Sequence, residues 1–139
     1  DIDFIFLAAT PQQAQQIKPT LAFQYAGDVP VYATSHLLSG TINQAQPADL
    51  NGIFFCETPW LMNLSAPLQQ QVVSQWPQAA GSLGRLYAMG SDAFMLTSRL
   101  TQLKSLPDSS VQGLTLSPTQ RIVRQLQWAE FRDGLVQPL

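Results

Sequence analysis

Apolar positions along the chain come in two patterns, short unbroken runs and runs spaced by three and four, and the switches between them mark out the elements. Phe4 through Ala9 is a continuous apolar run of strand length, as expected for a strand buried on both faces of a parallel sheet. Thr10-Pro11 then opens a helix, with Thr10 as N-cap and Pro11 at the first helical position. Ala14, Ile17, Leu21 and Tyr25 fall on one face of that helix. Pro19 lies inside it, which predicts a kink or two shorter helices. Gly27-Asp28 ends the segment, and Val29 to Ala33 supplies a second buried strand.

Residues 35–49 show no period and read as a loop holding one helical turn. Gly52 to Cys56 is a third apolar strand, closed by Glu57-Thr58-Pro59-Trp60. Ser65 is placed to cap a short helix over 66–75 whose apolar face is Leu68, Val72, Val73 and Trp76, and Pro77 stops it. A longer helix is predicted over 82–104, with Leu83, Leu86, Tyr87, Phe94, Leu100 and Leu103 as its apolar positions. Gly90 inside it costs about 1 kcal/mol relative to Ala, so close packing or a bend is expected there. After Pro107-Asp108 the character changes. Leu114 to Leu116, Arg121 to Leu126 and Trp128 to Phe131 read as β structure, and Asp133-Gly134 is a turn before Leu135-Val136. The order strand-helix-strand-strand-helix-helix with a β tail predicts an α/β fold whose first half is wound by right-handed parallel crossovers.

Composition narrows the function more than the fold. Charged residues make up 12% of the chain, against about 25% in typical domains. Eighteen glutamines supply the polar surface in their place. A net charge of −2 and a pI near 5.0 give no extended field for nucleic acid, and no such partner is expected. Arg121, Arg124 and Arg132 form a local basic group that is read as a solvated strand face. Cys56 is the only cysteine, so no disulfide closes within the chain; flanked by Ile53, Phe54 and Phe55, it is expected as a small buried hydrophobe. No apolar run reaches the ~20 residues of a membrane span, and no signal peptide is present. The chain opens on a strand without a methionine, which is expected of a piece of a longer polypeptide.

In an open parallel sheet, ligands meet the loops beyond the carboxyl ends of the strands. Those loops carry Thr10 and Pro11, then Thr34, Ser35 and His36, then Glu57, Thr58, Pro59 and Trp60. Thr10, Ser35, His36, Glu57, Thr58 and Trp60 are therefore the candidate cleft-lining residues for a small polar molecule, with Trp60 stacking and Thr10 or Ser35 hydrogen bonding. The competing reading is structural: Thr10 caps, the prolines turn the chain and Trp60 packs. A single histidine excludes a histidine-rich metal site. No G-x-S-x-G elbow, G-x-G-x-x-G or P-loop motif occurs, so no catalytic residue, cofactor or metal is expected. Asp92, beside Gly90, is read as a bend device that accepts freed backbone N–H groups, the alternative being a carboxylate that reaches a cleft between lobes.

Several stretches together resemble the LpoA family of outer-membrane lipoproteins that activate penicillin-binding proteins. These are Asp3 to Leu7, Gln16 to Pro19, Tyr25 to Ser35, Arg85 to Ala93, and the tail from Arg121 through Trp128 to Gly134, in that order. More loosely, the pattern is that of type I periplasmic binding proteins. The resemblance implies that the chain is the C-terminal portion of one two-lobed domain. About 1–80 would form βα units of the second lobe, and about 81–139 a long helix and β tail crossing toward the first. It further implies a lipoprotein on the periplasmic side of the outer membrane that binds and stimulates a class A penicillin-binding protein, penicillin-binding protein 1A. The lipid anchor would lie upstream, and Cys56 is not the lipid-bearing cysteine. The family has no catalytic motif to carry over. A solute-binding receptor for a small polar ligand is the alternative. It would need a polar cleft that closes on its ligand, whereas a regulator needs few convergent polar groups and an exposed patch elsewhere.

Overall fold

A computed structural model describes residues 2–63, 66–81, 83–105 and 114–139. Its elements run β1 (Ile5–Leu7), α1 (Pro11–Phe23), β2 (Val31–Ala33), β3 (Ile53–Glu57), α2 (Pro59–Met62), α3 (Pro67–Gln75), α4 (Gly84–Ser105), β4 (Leu114–Leu116), β5 (Ile122–Arg124), β6 (Gln127–Arg132) and β7 (Leu135–Pro138). Single 3-10 turns at Ser35–Leu37, Ala48–Leu50 and Pro77–Ala80 sit between them. The chain divides into two compact units, Asp1–Glu57 with Gln127–Leu139, and Thr58–Leu126. The chain leaves the first unit after Glu57 and returns to it at Gln127.

The first unit is built on a five-stranded sheet in the order β1-β2-β3-β6-β7. β1, β2 and β3 are parallel, with Ile5, Val31 and Ile53 in one register row and Leu7, Ala33 and Phe55 in another. The tail then returns antiparallel: β6 pairs with β3, aligning Ala129 with Phe55, and β7 pairs with β6. Strand alternation sends Val31, Ala33, Ile53, Phe55, Ala129 and Phe131 to one face, where all six are buried. Phe55 and Phe131 stack there with ring centroids 4.6 Å apart. Ala14 of α1, Leu37 and Leu50 are fully buried with them. The opposite face is open: Phe4 and Phe6, expected inside a strand covered on both sides, are exposed. Cys56 is half-buried on that face, not fully buried as expected.

Local chemistry explains most of the boundaries. β2 starts two residues later than expected because Pro30 has no N–H to give the ladder; its carbonyl instead accepts from Ile5 N at 2.8 Å. α1 is a single helix through Pro19, not two, and Thr20 Oγ1 bonds back to the Gln16 carbonyl at 2.8 Å one turn earlier. Its C-cap is Gln24, so Tyr25, at φ +59°, leaves the helix face assigned to it and is fully exposed. The β6–β7 turn has Asp133 at φ +53° and Gly134 at φ +71°, the left-handed pair that a two-residue hairpin requires. That turn also anchors the long loop: Gln46 N donates to the Gly134 carbonyl at 2.8 Å, and Gly134 N donates to Asn51 Oδ1 at 3.1 Å.

The second unit holds α2, α3, α4 and the two-stranded antiparallel β4–β5 hairpin. Trp60, Leu61 and Ala88 form its buried centre, with Val72 and Tyr87 packed against them. Gly84 is required here, because a Cβ would come within 2.5 Å of Leu61 Cδ2 and 2.7 Å of the Ala79 carbonyl oxygen. α3 departs from its predicted amphipathicity: Leu68 and Trp76 are substantially exposed, and the residue it buries is Gln69. The N-cap of α3 is Ala66, with Pro67 at N1; Ser65, expected as the cap, lies outside the described residues, as does Pro107-Asp108. On α4, Ala88, Asp92 and Leu103 are buried, while Leu86 and Phe94 are exposed on the other side. Gly90 neither packs closely nor meets a neighbour, since a Cβ there would find nothing within 4 Å.

Candidate functional site

Three of the loops singled out in the sequence follow parallel strands, so β1, β2 and β3 present Thr10, Thr34 to His36, and Glu57 at one edge of the sheet. What each residue does there differs. Thr10 completes a capping box: Gln13 N donates to Thr10 Oγ1 at 3.4 Å, and Thr10 N donates to Gln13 Oε1 at 2.9 Å. Ser35 opens a 3-10 turn, and its carbonyl accepts from Leu38 N at 3.2 Å. His36 is exposed, with Nδ1 3.5 Å from Thr34 Oγ1. Glu57 is fully buried on the covered face of the sheet, in line with Ile53 and Phe55.

Thr58 and Trp60 belong to the second unit. Thr58 is the N-cap of α2, and its carbonyl accepts from Leu61 N at 3.1 Å. Trp60 is only 5% exposed, with its indole N–H donated to the Ala79 carbonyl at 3.2 Å. Its own carbonyl accepts from the buried Gln69 Nε2 at 2.6 Å. The six candidates are therefore split between the units, and Thr10 and Trp60 already carry out structural tasks. Among the described residues, no group of three histidine, cysteine, aspartate or glutamate side chains could hold a metal ion. The strand ends offer the exposed hydroxyl of Thr10, half-buried Thr34, Ser35 and Thr58, and one exposed imidazole, with the carboxylate of Glu57 buried. That inventory provides hydrogen bonding but no oriented nucleophile.

Two features went unread in the sequence. One is an open groove of about 440 Å³ on the surface of the second unit, lined by Trp60, Val72, Trp76, Leu86, Tyr87, Gly90 and Ser91. Its lining carries no charge, and the Tyr87 hydroxyl is bonded by Gln78 Nε2 at 3.0 Å. The available signal was Gly90, whose lack of a side chain leaves that wall open. The other is the ion pair of Asp92 with Arg124. Asp92 was expected to receive backbone N–H groups beside Gly90; its Oδ2 accepts from a guanidinium on β5 instead. Arg132 pairs with Glu130 at 2.5 Å, so neither arginine is a simply solvated charge.

Comparison with known proteins adds what the geometry leaves open. A family model described as "LppC putative lipoprotein" matches residues 1–134. The penicillin-binding protein activator LpoA of Klebsiella pneumoniae is 32% identical over 143 residues, covering 99% of this chain and 20% of its own length. That of Escherichia coli K12 is 31% identical over 144 residues, covering 99% and 21%. The chain thus spans about a fifth of the length of the curated relatives it matches. Among solved structures, the C-domain of LpoA (YraM) from Haemophilus influenzae, described as a regulator of PBP1A, aligns with a TM-score of 0.79 at 24% identity. It covers 100% of this chain and 45% of that one. A protein from Rhodospirillum rubrum described as "a putative branched-chain amino acid ABC transporter" aligns with a TM-score of 0.64 at 18% identity, over 99% of this chain and 44% of that one.

Proposed function

The chain belongs to the LppC lipoprotein family, and on that premise we propose that it is part of a non-catalytic activator of a class A penicillin-binding protein. The partner in this reading is penicillin-binding protein 1A, engaged from the periplasmic side of the outer membrane by a protein whose lipid anchor lies elsewhere in the polypeptide. Membership in a lipoprotein family supports an envelope location. The observation that carries the reading is similarity along the whole of this chain: relatives named for activating a penicillin-binding protein match 99% of it at 31–32% identity.

The residues are consistent with that role. An activator needs surface rather than a reacting centre. The strand-end groups here are occupied by capping and packing rather than converging on one point. The 139 residues would form the C-terminal part of one two-lobed domain. The passage of the chain out of the first unit after Glu57 and back at Gln127 supports such a division.

The test uses the full-length parent protein and its cognate class A synthase. Glycan polymerisation and cross-linking from lipid-linked precursor should rise on adding the parent, and should fall back when residues 1–139 are deleted. Unchanged synthesis with the intact parent would sink the reading.

A further inference from the structure

The exposed aromatic side chains of the first unit do not all lie on its sheet. Phe23, the last residue of α1, is 80% exposed, and Tyr25, two residues later, is fully exposed. Phe23 comes nine residues after the fully buried Ala14, about two and a half helical turns, so it points directly away from the sheet. Helices on one face of a sheet form a single layer. Neighbours in that layer meet α1 along its flanks and leave its outer side free.

Tyr25 occupies a position that suits glycine. Tyr25 N donates to the Ala22 carbonyl at 3.2 Å and Ala26 N to the Leu21 carbonyl at 2.9 Å, the paired bonds of a Schellman cap. Tyr25 takes φ +59° there, a left-handed conformation in which a bulky residue is an outlier. Gly27 keeps the turn tight, because a Cβ at that position would meet Ala22 Cα at 3.3 Å. The cap thus fixes the tyrosine backbone, while the ring gains no packing among the described residues to offset the strain.

Negative charge gathers at the same edge. α1 runs back from the carboxyl end of β1, so its last turn lies where the parallel strands start. The exposed Asp3, Asp28 and Asp49 lead into β1, β2 and β3, and exposed Asp133 lies in the β6–β7 turn that bonds to Asn51. The first unit carries seven carboxylates against two cations, Lys18 and Arg132, for a net charge of −5 in a chain whose total is −2. Arg132 is itself paired with Glu130. Glu57 and Gln127, where the chain leaves and re-enters the unit, pair in register at the opposite edge.

We infer that Phe23 and Tyr25 anchor the interface with the penicillin-binding protein. They enter an apolar pocket on that partner whose lysine or arginine rim meets Asp3, Asp28, Asp49 and Asp133. The identity of the partner rests on the activator reading above; the chemistry of its surface follows from the aromatic pair and the charge around it. Binding energy at protein interfaces concentrates in aromatic anchors, with charge kept to the rim. A backbone already fixed by its cap lowers the ordering cost of association. The carboxylates draw a basic surface in before contact is made.

The test measures affinity of the full-length parent for its cognate synthase, together with stimulation of glycan synthesis. Tyr25→Gly removes the ring and relieves the left-handed strain, so its melting temperature should not fall below that of the unaltered parent. Tyr25→Gly and Phe23→Gln should each weaken binding by about 10- to 30-fold, the loss expected of an aromatic anchor. Asp28→Lys should slow association and flatten its dependence on salt. An unaltered parent that binds and stimulates, with both aromatic variants binding equally well, overturns the inference and leaves the activator reading standing. A parent that neither binds nor stimulates sinks that reading, and the inference with it. Self-association of the parent by light scattering, abolished in Tyr25→Gly while synthase affinity is unchanged, overturns the inference in favour of a second copy.

Discussion

Arg124 on β5 donates through Nη2 to Oδ2 of Asp92, a carboxylate 32 residues earlier on α4 whose side chain is 4% exposed. The bond fastens the β4–β5 hairpin to the long helix by a single buried charge pair. Removing one partner of such a pair strands the other, which costs about 3–5 kcal/mol. Arg124→Ala should therefore destabilise the chain by an amount near the low end of that range, because Arg124 is itself 23% exposed. Asp92→Leu combined with Arg124→Met should recover most of the loss. Urea unfolding of the two variants checks this, and a harmless Arg124→Ala would remove the pair from the account.

Two glycines of α4 should respond in opposite directions to the same added methyl group. At Gly84 the new Cβ collides with Leu61 and the Ala79 carbonyl, so Gly84→Ala should cost about 1–3 kcal/mol through overpacking. At Gly90 it meets open space, so Gly90→Ala should stabilise by up to about 1 kcal/mol through helix propensity. Thermal melts of the paired variants decide the matter. The same sign for both would contradict the packing described.

The Phe55–Phe131 stack joins the parallel and antiparallel halves of the sheet, and both rings are fully buried. Phe131→Ala should cost about 3–5 kcal/mol. Phe131→Leu should cost less, because most of the volume is kept. Denaturant midpoints measure the difference, with the m-value monitored for loss of two-state behaviour.

A ligand screen separates the regulator from a solute receptor. The strand-end hydroxyl of Thr10 is engaged in its capping box, and the Glu57 side chain is fully buried. Amino acids, sugars and muropeptides should therefore give no saturable thermal shift of the full-length parent. Thr10→Ala should lower stability by about 1 kcal/mol through loss of the cap, while leaving synthase activation intact. A compound that stabilises the parent in a dose-dependent way, with the effect abolished in Thr10→Ala or His36→Ala, would reverse the ranking.

The sequence by itself determined the features that neighbouring residues settle among themselves. Apolar runs at Phe4 to Ala9, Val29 to Ala33 and Gly52 to Cys56 announced the three strands, Thr10-Pro11 announced the start of α1, and Asp133-Gly134 announced the hairpin turn. Each depends on backbone preference and side-chain bonding over a few residues, so each is visible in a short window. The five stretches that resemble the LpoA family were legible for the same reason.

Tertiary structure alone decided which distant segments meet. Nothing in the Arg121 to Phe131 pattern said that β6 would lie antiparallel against β3, because any strand with an apolar row can pair with any other until the loops between them close. The burial of Gln69 in place of Leu68 depends on the Trp60 carbonyl nine residues away, and the role of Asp92 depends on an arginine on a later strand. Periodicity ranks positions by how apolar they are. It carries no term for a specific partner that satisfies a buried amide or charge, and that term is what chose the inner faces of α3 and α4.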